Sequence, residues 1–258
     1  MRLTIARLSM IPQSLKIAFE FLTLIRVGKP SKDIPPEDIA NSIMFFPLVG
    51  ILLGGICALA DFALRDLIVS DVVRSFFPVI LLAILSRGLH LDGVADCFDA
   101  LHFALHGREK ALRIMKDSTI GAFGVSALIF VIVGKILSIS ALPEGFKIQS
   151  LLLIPSLSRW TSSIVARQGA PASTEGLGYI FTVYSPRRAF LISGAIAFAL
   201  SFFLLGINGI TIFILVSIFG VLLTSFFNRA FGGVTGDVFG AILELSEVFG
   251  FLVGGIVF

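Results

Sequence analysis

Long apolar runs, each ending at a short polar segment, set the pattern of this chain. A helix that spans a bilayer needs about 20 mostly apolar residues, and stretches 43–64, 72–89, 121–142, 151–166, 190–207, 210–227 and 238–258 meet or approach that length. The fourth is short and carries Ser156, Ser158, Arg159 and Thr161, so it is expected to face protein or a cavity. The last carries Glu244 and Glu247. The pattern predicts an all-α, polytopic integral membrane helical bundle with six or seven transmembrane helices. Residues 1–34 read as an amphipathic N-terminal segment and 35–258 as the bundle, together a single membrane-embedded domain. Within the first segment, Leu15 to Ile25 contains Lys16 and Glu20 and lacks a small-residue cleavage site. It therefore reads as a helix on the membrane surface, not a cleaved leader. The run Pro35, Pro36, Glu37, Asp38 reads as a helix start.

Composition strengthens the membrane reading. Only 14% of residues are charged and 56% are hydrophobic, whereas a soluble domain carries roughly 25% charge. Mean hydropathy is +0.99. The 26 Phe and 25 Gly suit helices in lipid, where Gly permits close contact. The stretch 50–55, rich in Gly, fits internal packing and a homo-oligomer face equally well. Cys57 sits in an apolar span and Cys97 in an acidic segment, so both are expected to be free thiols.

The net charge of +3 does not point to nucleic acid, because the basic residues gather beside apolar spans and form no dense patch. Arg2, Arg7, Lys16, Arg26, Lys29 and Lys32 favour a cytoplasmic start. The loops 87–118, 167–188 and 228–237 then fall on the same side, and Arg108, Lys110, Arg113 and Lys116 lie in the first of them. The opposite turns hold Arg65, Arg74 and Lys147. A multi-pass protein of the cell (inner or plasma) membrane follows, with every chemically interesting polar segment on the cytoplasmic face.

Four such segments stand out. In LHLDGVADCFDALHFALH (89–106), Asp92, Asp96 and Asp99 fall at i, i+4 and i+7, on one helical face. On an ordinary surface helix this stripe would be a solvated face. Beside an apolar span, three clustered carboxylates repel one another unless a cation resides among them. Ligands that are all oxygen suit a hard ion such as Mg²⁺, which binds one or two carboxylates plus substrate phosphates. His102 and His106 continue nearly the same face and read as structural or surface residues. In GREKALRIMKDSTIGAFG (107–124), Arg108, Arg113 and Lys116 place positive charge near the stripe, which suits a diphosphate. A plain positive-inside loop accounts for Arg108 and Lys110. Asp117 makes a polar cluster with Lys116 and Ser118. In FGGVTGDVFGAILELSE (231–247), Gly232, Gly233 and Gly236 let backbone approach a ligand. Asp237 and Glu244, at i and i+7, share a face. The fourth segment, 159–178, contributes Arg159, Arg167 and Glu175.

At these segments the chain resembles the cobalamin synthase family, the adenosylcobinamide-GDP ribazoletransferases. The likeness runs through FFPLVG (45–50), GLHLDGVADCFDAL (88–101), RIMKDSTIGAFGV (113–125), EGLG (175–178) and GGVTGDVFGAILELSE (232–247). It departs at Ser86 and Arg87, where the family has a glycine-rich approach, and at LIRVGKP (24–30). The resemblance implies Mg²⁺-dependent transfer from adenosylcobinamide-GDP to α-ribazole or its 5′-phosphate, with release of GMP. It implies Asp92, Asp96, Asp99 and Asp237 as metal ligands, and Asp99 or Asp117 among candidates for the catalytic base. It also implies Arg113, Lys116, Ser118, Arg159, Glu175, Thr235 and Glu244 as substrate-binding residues. A CDP-alcohol phosphotransferase shares the acidic-helix logic, but its DG-x-x-AR continuation is missing, since Val94, Ala95 and Asp96 follow Asp92 and Gly93. A transporter would place its charges near the bilayer midplane.

Overall fold

A computed structural model describes residues 12–25, 34–104 and 107–258. The expectations for Arg2, Arg7, Arg26, Lys29, Lys32 and His106 lie outside the described residues. The described chain forms α1 (Gln13–Leu22), α2 (Pro36–Asn41), a 3-10 turn (Ser42–Phe45), α3 (Phe46–Leu64), α4 (Asp71–Leu85) and α5 (Leu89–Ala104). There follow α6 (Arg108–Ile114), α7 (Ala122–Ser140), α8 (Glu144–Gln168), α9 (Gly176–Tyr184), α10 (Arg187–Phe231) and α11 (Gly236–Val257). The all-α expectation holds.

Helix α8 is the axle of the bundle. Its Ser150–Ala166 side chains are buried almost without interruption, and α3, α10 and α11 pack around it. Gly50 and Gly54 of α3 lie directly against its backbone at Pro155–Ser156 and Leu151–Leu152, and the Ser156 hydroxyl donates to the Pro47 carbonyl at 2.9 Å. The glycine-rich stretch therefore packs inward. Far from the polar loops, Asp61 of α3 holds Arg74 of α4 at 3.2 Å and Lys147 of α8 at 3.5 Å. Two of the three basic residues on that side are thus paired and buried.

Among the described residues, four helices are long and apolar enough to cross a membrane, and a fifth crossing arises if α4 and α5 count as one bent span. That is fewer than the six or seven expected, and three features enter the comparison, of which the first was anticipated and the third makes two arms of one counted helix. First, α8 runs through protein instead of lipid, with Ser and Arg along its length. Second, α4 and α5 meet at 89°. Third, stretches 190–207 and 210–227 are joined in one continuous element that turns at Gly206, whose φ of 57° and ψ of −132° are not helical. Phe198 and Phe213 lie 5.8 Å apart, ring to ring. In a straight helix their separation would be about 22 Å, so α10 doubles back on itself.

Helix α1 carries the predicted amphipathic pattern. Ile17, Ala18 and Leu22 are buried, and Phe21 meets Phe46 and Phe181 at 5.9 and 5.6 Å. Its C-terminus is tied to the α4–α5 bend, where the Arg87 guanidinium donates to the Glu20 carbonyl at 2.9 Å and Leu24 N–H to the Leu85 carbonyl at 2.8 Å.

Candidate active site

The four polar segments meet at one end of the bundle. The acid-bearing helix α5 gets there by the bend at residues 86–88, where Arg87 (φ 58°) and Gly88 (φ 67°) both adopt left-handed backbone. Asp92 is exposed, Asp96 half-buried and Asp99 buried, so the predicted stripe descends from the surface into the packing.

What brings α11 to this stripe is an approach of backbone to backbone. A Cβ on Gly93 would stand 2.5 Å from the Asp237 carbonyl oxygen, a distance that only glycine permits. Asp237, in the first turn of α11, thereby comes within electrostatic reach of Asp92 and Asp96. Thr235 begins the same helix: its Oγ1 accepts from Val238 N–H at 3.3 Å, an N-cap arrangement. The same oxygen lies 3.4 Å from Asp237 Oδ2 and 3.1 Å from Met115 Sδ. The segment leading into α9 docks alongside. Val234 N–H donates to the Ala170 carbonyl at 2.7 Å and Ala172 N–H to the Val234 carbonyl at 3.2 Å, while Asn228 bonds both Ala170 N–H and the Gln168 carbonyl.

Between these loops opens a cleft of about 450 Å³, lined by Lys116, Ser173, Glu175, Thr235 and Asp237 among others. The structure thus brings Lys116, Glu175, Thr235 and Asp237 together from three distant segments and sets Asp92 and Asp96 beside them. The short helix α6 divides its charges. Its C-terminal flank, with Leu112, Met115 and Lys116, faces the cleft, whereas Arg113 lines a separate surface recess with Arg108 and Lys110.

Three expectations need correction. Asp99 is not an open ligand: Gly121 N–H donates to its Oδ2 at 2.7 Å and Gly124 N–H to its Oδ1 at 2.8 Å. It caps the first turn of α7, where a carboxylate satisfies amides that have no partner within the helix. Asp117 is fully exposed and held by its own loop, with Thr119 donating from both its hydroxyl (2.9 Å) and its N–H (3.0 Å). Those bonds hold its carboxyl below the ordinary value, which makes it a weak proton acceptor. Ser118 is exposed in the same loop. Arg159 and Glu244 lie inside the bundle, away from the cleft. Lys135 of α7 reaches Glu244 at 2.5 Å and also pairs with Glu247. Glu247 in turn accepts from Arg159 and, at 3.1 Å, from Ser158. Shared faces on a helix told that Asp237 and Glu244 point the same way, but not that two turns separate a cleft from a core.

Lys135 and Glu247 are the members of this cluster that the sequence reading left without a partner. The available signal was a lone Lys inside an apolar span, which in a membrane helix demands a counter-charge. Among the described residues, no three His, Cys, Asp or Glu side chains are gathered closely enough to hold a metal ion unaided.

A family model described as cobalamin-5-phosphate synthase matches residues 14–255. Relatives named adenosylcobinamide-GDP ribazoletransferase include that of Caldanaerobacter subterraneus subsp. tengcongensis, 32% identical, with 93% of this chain and 96% of the relative covered. The one from Desulfitobacterium hafniense is 36% identical, covering 94% of this chain and 96% of its own length. The one from Acetivibrio thermocellus is 35% identical, with 88% and 91% covered. No solved structure matches the chain.

Proposed function

Because this chain belongs to the cobalamin-5-phosphate synthase family, we propose that it is an adenosylcobinamide-GDP ribazoletransferase, as its relatives are named. In this reading, a hydroxyl of α-ribazole or its 5′-phosphate attacks the phosphorus on the cobinamide side of the diphosphate. The bond to GMP breaks, the new phosphodiester completes the nucleotide loop of the corrinoid, and the hydroxyl proton passes to a carboxylate. The observation that carries the proposal is that Asp237 and Lys116 line one polar cleft, with Asp92 and Asp96 within electrostatic reach of Asp237.

The parts suit that chemistry. Phosphoryl transfer asks a protein mainly to position groups and stabilise charge. Lys116 supports the negative charge of the diphosphate and of departing GMP, and Thr235 and Glu175 line the space where sugar hydroxyls would lie. Asp92 or Asp96 takes the proton of the attacking alcohol, a contribution of roughly 10²–10⁴-fold.

We assign Mg²⁺ as the cofactor. The donors are oxygens only, and the protein alone forms no closed cage. That combination fits an ion which commonly binds one or two carboxylates and completes its shell with substrate phosphates and water. Two of Asp92, Asp96 and Asp237 would hold it, with the diphosphate and water completing the shell. Bound there, it supplies charge neutralisation across the diphosphate and polarises the phosphorus.

The cleft lies on the cytoplasmic side of the cell membrane in this proposal. Lys and Arg dominate the loops at its end of the bundle, whereas Arg74 and Lys147 at the other end are paired with Asp61.

The decisive experiment incubates purified protein with adenosylcobinamide-GDP, α-ribazole and Mg²⁺ and follows GMP. Release should depend on both substrates, stop with EDTA and return with added Mg²⁺. GMP formation undiminished in EDTA rules out the metal; no GMP under any condition rules out the transferase.

A further inference from the structure

Beside the polar cleft lies a second hollow of different character. It has a volume of about 100 Å³ and apolar walls that include Phe21, Phe46, Phe239 and Leu243. Leu177, Gly236 and Asp237 line both spaces, so the hollow adjoins the cleft at the carboxylate assigned above to phosphate chemistry. One space is polar and the other aromatic.

The aromatic space is built from distant parts of the chain. Phe21 comes from α1, Phe46 from α3, Ser162 from α8, and Phe239 and Leu243 from α11. The rings of Phe21 and Phe46 are stacked at 5.9 Å. Polar side chains are few. Ser162 and His90 are both buried in the wall, and the His90 Nδ1 has no hydrogen-bond partner among the described residues. Buried polar atoms are ordinarily satisfied, so an unpaired imidazole nitrogen in the wall of an apolar hollow points to a ligand there.

The size narrows the ligand. A cavity of roughly 150 Å³ holds a benzene-sized ring. A smaller one adjoining the cleft takes the leading edge of a flat ring and leaves the rest of the molecule outside. Aromatic walls favour a planar group that stacks or meets them edge-on. A corrinoid is far too large, and a guanine edge presents several donors and acceptors that phenyl rings would leave unpaired.

Resting on the transferase reading, we infer that this hollow is the acceptor site for the nucleoside: it takes the fused aromatic base of α-ribazole. The ribose then lies at Asp237, with its hydroxyl directed into the cleft. The base enters on its apolar edge, and the five-membered ring that carries the ribose stays at the mouth of the hollow. Selection for a benzimidazole-type base, and rejection of purine nucleosides, follows from the scarcity of polar partners in the wall.

Two substitutions that narrow the hollow test this with the full-length protein in detergent micelles, each substrate being varied separately while GMP release is followed. Ser162→Leu fills it from within. Leu89→Trp fills it from an exposed lining position (42% exposed) and disturbs packing least. Each is expected to raise the KM for α-ribazole about tenfold or more while the KM for adenosylcobinamide-GDP stays within about twofold. Should Ser162→Leu fail to assemble, Leu89→Trp decides alone. A ribazole KM left unchanged in Leu89→Trp, or both KM values rising together, overturns the assignment of the hollow while leaving the transferase reading intact. Wild-type protein that makes no GMP from the substrate pair overturns the reading beneath it.

Discussion

Asp92 and Asp96 differ from Asp99 in what already holds them. The first two meet chiefly other carboxylates, whereas both oxygens of Asp99 accept backbone N–H groups of α7. Substitution should therefore separate the three. Asp92→Ala and Asp96→Ala are expected to lower turnover by more than about tenfold with unchanged thermal stability, since they remove charge needed only in the reaction; a variant keeping more than that fraction of activity contradicts its assignment. Asp99→Ala is expected to cost about 1–2 kcal/mol of stability through the lost cap, visible as a lower melting temperature. Asp99→Asn retains one acceptor and should recover part of it. Asp117 contributes a pH dependence of its own. Its carboxyl is held below the ordinary value of 3.8 by the Thr119 hydrogen bonds, so the folded state favours the ionised form. The stabilisation is complete above that value and is lost as the pH falls through the lowered one. The stability gap between wild type and Asp117→Ala should accordingly close in melts below pH 3.8. Sequence placed the three aspartates on one face because helical spacing does that. It could not reveal which of them a second helix would claim, since Gly121 and Gly124 give no side-chain signal of the amides they offer.

Among the elements, α7 acts as a brace for both acid-bearing helices. Its first turn is fixed to α5 through Asp99, and its middle is fixed to α11 through Lys135 with Glu244 and Glu247. The cluster of Lys135, Arg159, Glu244 and Glu247 balances two positive with two negative charges inside the bundle. Breaking such a pair leaves a buried charge uncompensated, at a cost of about 3–5 kcal/mol. Lys135→Met is expected to be destabilised on that scale and to lose activity through misplacement of Asp237. Adding Glu244→Gln should restore a large part of the stability, because Glu247 keeps Arg159. A double variant no more stable than Lys135→Met would show that the ion pairs are not what α7 contributes. The apolar runs made α3, α7 and α11 readable from sequence. The Ser, Thr and Arg residues of α8 marked it in advance as a helix facing protein, and its burial agrees; the two apolar runs read on either side of Gly206 are the two arms of α10.

At the scale of the whole molecule, the polar loops converge at one end while lipid-facing phenylalanines and aliphatics cover the flanks, with Phe130, Phe203 and Ile207 among the most exposed. The doubling back of α10 depends on Gly206, which has open space around its α-carbon but a backbone conformation that residues with a side chain avoid. Gly206→Ala should therefore cost about 1–3 kcal/mol from backbone strain alone, read as a lower unfolding midpoint with activity per folded molecule retained. The convergence of four segments was legible only through family resemblance, because no local rule joins residue 93 to residue 237. That junction has a further consequence. With main chain touching main chain at Gly93 and Asp237, the two acid-bearing helices cannot approach any closer, so the spacing of their carboxylates has a fixed lower limit. That limit is set by the width of a hydrogen atom where any other residue would carry a carbon.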